Sequence, residues 1–203
     1  MQLRDINNYY TDKVLKHGPC AAGADWNGLA SQQLRFEQLS KITDNNTHFS
    51  VNDLGCGYGA LLDYFDDTGK TADYLGIDIA PAMIEQATKL HGKHTTCRFI
   101  TGSAPDRVAD YTMASGIFNV RLSTSDEVWQ SHMAQTLDSM RQSSLKGFAF
   151  NCLTSYSDQS HMRDYLYYAN PGQWFDFCKT RYSRNVALLH DYELYEFTLM
   201  VRL

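Results

Sequence analysis

The stretch Phe49-Ser50-Val51-Asn52-Asp53-Leu54-Gly55-Cys56-Gly57-Tyr58-Gly59 decides the fold of this 203-residue chain. Phe49 and Val51 alternate with polar residues, as one face of a buried strand requires, and the run then breaks into glycine at every second position. Ala60, Leu61, Leu62 and Phe65 follow with the spacing of a helix. Strand, glycine turn and helix in that order bring bare backbone close to a ligand, because glycine takes positive φ without steric cost. The turn reads as a binding site made of main chain.

Asp53 limits what is bound. A loop that receives a pyrophosphate at a helix N-terminus is disfavoured by an anion two residues before its first glycine, so Asp53 argues against a dinucleotide. It suits a ligand that is cationic at that point, such as the amino group and sulfonium of S-adenosylmethionine. A second acid, Asp78, ends the strand Tyr74-Leu75-Gly76-Ile77-Asp78. It stands about 20 residues past the glycines, where a doubly wound fold puts a carboxylate on the ribose hydroxyls. Gly55, Gly57 and Ala60 also satisfy the Gly-x-Gly-x-x-Gly/Ala fingerprint, which alone carries little weight; the two acids decide between the readings.

With both acids and the glycine loop in place, residues 49–120 resemble the class I S-adenosylmethionine-dependent methyltransferases. Toward the C-terminus the likeness is one of architecture. The resemblance implies S-adenosyl-L-methionine as cofactor, with Asp53 holding its amino group through the loop and Asp78 binding ribose. It also implies that Gly55, Gly57 and Gly59 line the cofactor and that Ile79 touches adenine. Many members carry an acid after the third-strand glycine, whereas this chain has Gly102-Ser103-Ala104, leaving adenine to Ser103 or to backbone groups. Ser115 and Gly116, after the fourth strand, are expected beside the methionine arm.

The pattern predicts an α/β fold: a Rossmann-like, seven-stranded, mostly parallel sheet with helices on both faces and a C-terminal antiparallel hairpin. Strand and helix patterns alternate over residues 49–152. Pro81 opens a helix with Met83, Ala87 and Leu90 on one face and Gly92 as its stop. Thr124-Ser125-Asp126-Glu127 has capping-box spacing before a stripe of Trp129, Met133, Leu137 and Met140. Asn185–His190 and Leu194–Leu203 read as the closing strands. The division is a helical lid over 1–45 and a cofactor-binding core over 46–203. In the lid, Leu3, Ile6, Tyr10 and Leu15 mark a first helix, and Leu34, Leu39 and Ile42 a second. Residues 7–30, rich in small residues, are expected to be a mobile cover.

Composition narrows the partners. A net charge of -5 supplies no field for a polyanion, and the densest cationic stretch, Lys179 to Arg184, reads as a solvated helix end. Five cysteines without a Cys-x-x-Cys pair indicate neither a disulfide framework nor a metal site. No apolar run approaches the roughly 18 residues of a membrane span, and the first residues lack a signal-peptide pattern, so the expected compartment is the cytoplasm. The expected partners are a small methyl acceptor and a second copy of the chain, with no nucleic acid and no membrane. A peptide acceptor, or a non-catalytic cofactor-binding subunit, is the alternative.

Methyl transfer is an in-line displacement that needs alignment and sometimes a base. His17, beside Gly18-Pro19, and His190, at the hairpin turn, are the candidate bases because imidazole titrates near neutral pH. Trp26 in the N-terminal loop, Arg121 after the fourth strand and Tyr156 after the fifth are candidate acceptor contacts. The aromatic-rich stretch 154–184 reads as core more than as a pocket.

Overall fold

The computed structural model describes residues 3–24 and 28–203. Trp26 lies outside the described residues. The strands are β1 (His48–Leu54), β2 (Thr71–Asp78), β3 (Cys97–Thr101), β4 (Ala109–Ala114), β5 (Ser144–Leu153), β6 (Asn185–Leu189) and β7 (Glu196–Arg202). They form one sheet in the order β3-β2-β1-β4-β5-β7-β6. Every neighbouring pair is parallel except those made by β7, which runs antiparallel to both β5 and β6. This is the expected sheet. Because β6 points the same way as β1 to β5, its end brings His190 to the edge where β1, β2 and β4 also end.

Helices α3 (Ala60–Asp67) and α4 (Pro81–His91) make the crossovers β1 to β2 and β2 to β3, while α5 (Asp126–Gln142) joins β4 to β5 and α6 (Pro171–Arg181) precedes β6. Right-handed crossovers that advance in opposite directions from the centre of a sheet cover opposite faces. Leu61, Leu62 and Phe65 of α3 accordingly pack with Phe49, Val51 and Tyr74 in one core. Trp129, Met133, Leu137 and Met140 of α5 pack with Leu75, Ile77, Phe148 and Phe150 in the other. Full burial of each such side chain contributes about 1.5–3 kcal/mol. Tyr167, Trp174 and Cys178 of the aromatic stretch belong to that second core. Asn170 caps α6 as expected, its Oδ1 accepting from the Gln173 N–H at 3.1 Å.

Residues 102–108 depart from the alternating pattern, because they connect β3 to β4 without a helix. Arg107 pins this link, donating to the carbonyls of Val51 at 3.1 Å and Asp73 at 2.6 Å.

Three local expectations are corrected. Leu90 is 53% exposed and His91 is buried in its place, since the buried stripe of α4 follows Met83, Ala87 and His91 at every fourth residue. The N-cap of α5 is Ser125, one residue beyond the expected Thr124, whose N–H instead closes a turn on the Arg121 carbonyl. Leu15 is 72% exposed, because the buried face of α1 (Leu3–His17) runs through Ile6 and Val14 instead.

The N-terminal helices dock differently. Val14 of α1, with Tyr10 beside it, packs on Ala80 and Met83 at the start of α4. Helix α2 (Leu29–Ser40) buries Gln32, Arg35, Phe36 and Leu39 against the first core and the sheet. Between them a 3-10 turn, Ala21–Ala24, buries Gly23 so closely that a Cβ there would stand 2.0 Å from the Gly18 carbonyl oxygen. Gly23 is packed, whereas a Cβ at Gly18 or Gly28 would meet open space, as expected of a segment with little to hold it.

Gly147 tests the register of β5 with β7. A Cβ at Gly147 would meet the Val201 carbonyl oxygen at 2.5 Å and Ile42 Cδ1 at 3.0 Å. Gly147→Ala is expected to lower stability by about 1–3 kcal/mol in chemical denaturation. An unchanged midpoint would contradict the pairing of Gly147 with Arg202.

Candidate functional site

Between β1 and β4 the strand order reverses, and open α/β sheets carry their ligand crevice at that switch point, outside the carboxyl ends of the strands. A cavity opens there with about 800 Å³ of space once its open mouth is counted. Its floor is the glycine loop. Asp78 and Ile79 border it after β2, Gly102 and Ser103 after β3, and Ser115, Gly116 and Ile117 after β4. Ile6 and Tyr10 of α1 reach it from the N-terminal segment, and His132 and Thr136 from α5.

The loop is held by main-chain bonds to β2. Gly55 and Cys56 both donate their N–H to the Ile77 carbonyl, at 2.7 and 3.0 Å. Gly55, Gly57 and Gly59 have φ of +78°, +54° and +90°, the left-handed region in which a side chain is strained. Asp78 locks the loop to the next strand end, with Oδ2 accepting from the Gly57 N–H at 2.9 Å and Oδ1 from the Ala80 N–H at 2.8 Å. Each oxygen keeps a second lone pair for a ligand hydroxyl. Burial pushes the Asp78 carboxyl up, against the opposing pull of these N–H groups. Gly59 does not line the cavity; it opens α3, and the space a Cβ would fill is occupied by the His91 ring at 2.8 Å.

Asp53 lies deeper, in a smaller adjoining cavity that it shares with Gln32, Tyr58 and Ser115. It is 3% exposed, and its Oδ2 accepts from the Tyr74 hydroxyl at 2.5 Å. Burial raises its pKa from 3.8 to about 7; the Tyr74 hydroxyl lowers it and the neighbouring Asp78 raises it further. Ser115 borders both cavities, and its buried Oγ has no hydrogen-bond partner. Asp78 thus borders the larger cavity and Asp53 the smaller one, with the orphan Ser115 hydroxyl on the wall they share.

Placement separates the remaining candidates. His17 is exposed at the end of α1 and does not line the cavity. His190 is exposed on the ligand-bearing edge, but its ring lies against Tyr156 at 5.8 Å and outside the cavity lining. Tyr156 is 75% exposed. Arg121 is engaged elsewhere, donating Nε to the Leu166 carbonyl at 3.2 Å and Nη1 to that of Thr124 at 2.8 Å, with Asp126 at 3.4 Å. These bonds hold the segment after β4 against residues 165–166.

His132 is the histidine that does line the cavity. Its ring packs beside Trp129 at 5.4 Å and makes no hydrogen bond among the described residues, and burial lowers its pKa. The sequence carried one usable sign: His132 and Thr136 fall one turn apart, next to the buried stripe of α5.

The comparisons with known proteins agree with this geometry. Residues 51–146 match a family described as a methyltransferase domain. The protein named "Putative methyltransferase Rv1506c" from Mycobacterium tuberculosis is 58% identical over 162 residues, which are 80% of this chain and 98% of that one. Magnesium protoporphyrin IX methyltransferase from Synechocystis PCC 6803, solved with bound S-adenosylhomocysteine, superposes with a TM-score of 0.71 at 11% identity over 99% of each chain. The DhpI complex with S-adenosylhomocysteine gives 0.67 at 14% identity, covering 97% of this chain and 94% of that one.

The raised Asp53 pKa makes a signed prediction. Between 3.8 and about 7 the folded protein keeps a proton that the unfolded chain has released. The Asp53 contribution to stability is then lost as pH rises through that window, by on the order of a few kcal/mol. Denaturation of wild type and Asp53→Asn from pH 4 to 8 measures it: the stability of the variant relative to wild type should climb with pH and level off above 7. A constant difference would mean that Asp53 is ionised throughout.

Proposed function

The chain belongs to the class I S-adenosylmethionine-dependent methyltransferases, and from that premise we propose that its acceptor is a small metabolite methylated on oxygen or nitrogen. The residues present fit the cofactor. The orphan Ser115 hydroxyl supplies an unmatched polar atom, and Gly57 and Gly102 leave backbone uncovered where side chains would intrude. In this reading Asp78 receives the ribose hydroxyls, Asp53 the amino group, Ile79 flanks adenine, and Ser103 meets its edge. Gly55, Gly57 and Gly116 border the cofactor with main chain. When bound, S-adenosylmethionine supplies a methyl group already activated on a sulfonium.

The observation that carries the acceptor class is the position of α1. Ile6 and Tyr10 bring a helix to the same cavity that the strand ends line, so an acceptor shares a partly roofed space with them. A small molecule fits this shelter. Exclusion of water there also keeps charges at Asp53 and Asp78 strongly felt.

Within the cavity, His132 takes the role first given to His17 and His190. A neutral imidazole is able to accept the proton that a hydroxyl or ammonium acceptor releases. Its depressed pKa keeps it in the accepting form to lower pH than an exposed histidine. Alignment is left to the walls, which is where most of the rate of such a displacement originates.

A methylation screen by mass spectrometry across metabolite classes is the test of the acceptor. Once an acceptor is found, His132→Ala should lower kcat by roughly 10²–10⁴-fold while S-adenosylhomocysteine affinity stays within about twofold. The wild-type rate should fall only at a pH below the ordinary histidine range. A variant with full kcat, or one whose only defect is cofactor binding, would remove His132 from proton transfer. Turnover confined to proteins or peptides would overturn the small-metabolite reading.

A further inference from the structure

Helix α2 lies outside the matched methyltransferase region, yet it is bonded to both walls of the cavity. On its buried face, Gln32 Oε1 accepts from the Tyr58 hydroxyl at 3.0 Å, and Tyr58 is part of the glycine loop. One turn on, Arg35 donates Nε to Glu196 Oε1 and Oε2 at 2.9 and 2.8 Å, and Nη2 to Oε1 at 2.7 Å. Glu196 Oε2 accepts from Asn151 Nδ2 at 2.8 Å. Asn151 Oδ1 in turn accepts from the Gly116 N–H at 2.7 Å. Arg35, Glu196 and Asn151 are 6%, 1% and 0% exposed, so the chain of bonds runs through the interior from α2 by way of β7 and β5 to the cavity wall.

We infer that Arg35, Glu196 and Asn151 are positioning residues that fix the Gly116 amide and, with Gln32, set the loop after β4 against the glycine loop. The inference rests on the reading of this cavity as the methyl-transfer site. Stability alone does not account for the arrangement, since apolar side chains of similar volume commonly match or exceed a buried ion pair. Direction is what the polar chain supplies. An ionised Glu196 only accepts, so Asn151 must turn its NH₂ toward it and its carbonyl oxygen toward Gly116. The reversed amide would set donor against donor at Gly116 and acceptor against acceptor at Glu196. Gly116 has φ +75° and no side chain to anchor it, so this bond defines where its backbone, and the adjoining Ser115 hydroxyl, stand in the cavity.

The sense of the hydrogen bonds is testable without altering volume. Glu196→Gln leaves an oxygen for Arg35 but turns an amide N–H toward Asn151, which must flip and present its own NH₂ to Gly116. Adding Asn151→Asp restores the order, because a carboxylate accepts from both the new amide and the Gly116 N–H. Two readouts apply: the exchange rate of the Gly116 amide by NMR in the free protein, and the affinity for S-adenosylhomocysteine by calorimetry.

Glu196→Gln should speed Gly116 exchange about tenfold or more and weaken S-adenosylhomocysteine about tenfold, with the Gly57 amide unaffected. The double variant should return both to within about twofold of wild type. Asn151→Ala, which leaves the ion pair whole, should speed Gly116 exchange by a similar factor, so the test stands even if Glu196→Gln does not fold. Unchanged Gly116 exchange in Asn151→Ala, or a double variant no better than the single one, would overturn the positioning role. Failure of S-adenosylhomocysteine to bind wild type would overturn the reading of the cavity instead, and the exchange measurements would still decide the role of the chain.

Discussion

One carboxylate ties the site to the sheet: Asp78 accepts from the Gly57 N–H at 2.9 Å and the Ala80 N–H at 2.8 Å. The first bond closes the glycine loop of β1 against the end of β2, and the second starts α4 on the same support. Met83 of α4 holds Val14 of α1, so even the helix bordering the cavity is seated on the turn that Asp78 organises. A carboxylate so placed serves two ends, since the lone pairs left over after the backbone bonds face the ligand space.

Burial sets the electrostatics of the site. Asp53 and Asp78 are both buried, each has its carboxyl pushed up by burial, and Asp78 raises Asp53 further. Ionising a buried acid is costly, so positive charge beside Asp53 would favour its carboxylate form. The orphan hydroxyl of Ser115 borders the same small cavity as Asp53.

Local chemistry was readable in the sequence and distant pairing was not. The glycine loop, Asp78 and the helix opened by Pro81 depend on residues within a few turns of one another, and the order of strands follows from the handedness of crossovers. His132 was hidden because a histidine beside a buried helical stripe looks like any other flank until the neighbouring strand ends are in place. Arg35 and Glu196 are 161 residues apart, and no spacing in the sequence announces the pair. Conversely, His17 and Arg121 carried suitable chemistry but were placed by α1 and by the carbonyls of Thr124 and Leu166 away from the cavity.

The central claim is that S-adenosylmethionine chemistry takes place at the edge where β1, β2 and β4 end. Titration of the isotopically labelled protein with S-adenosylhomocysteine, followed by amide NMR, tests it most directly. The account predicts that the largest shifts fall on Gly55, Gly57, Asp78, Ile79, Ser103, Ser115 and Gly116, and that NAD leaves the same signals in place. Shifts concentrated elsewhere on the chain, or an equal response to NAD, would contradict it.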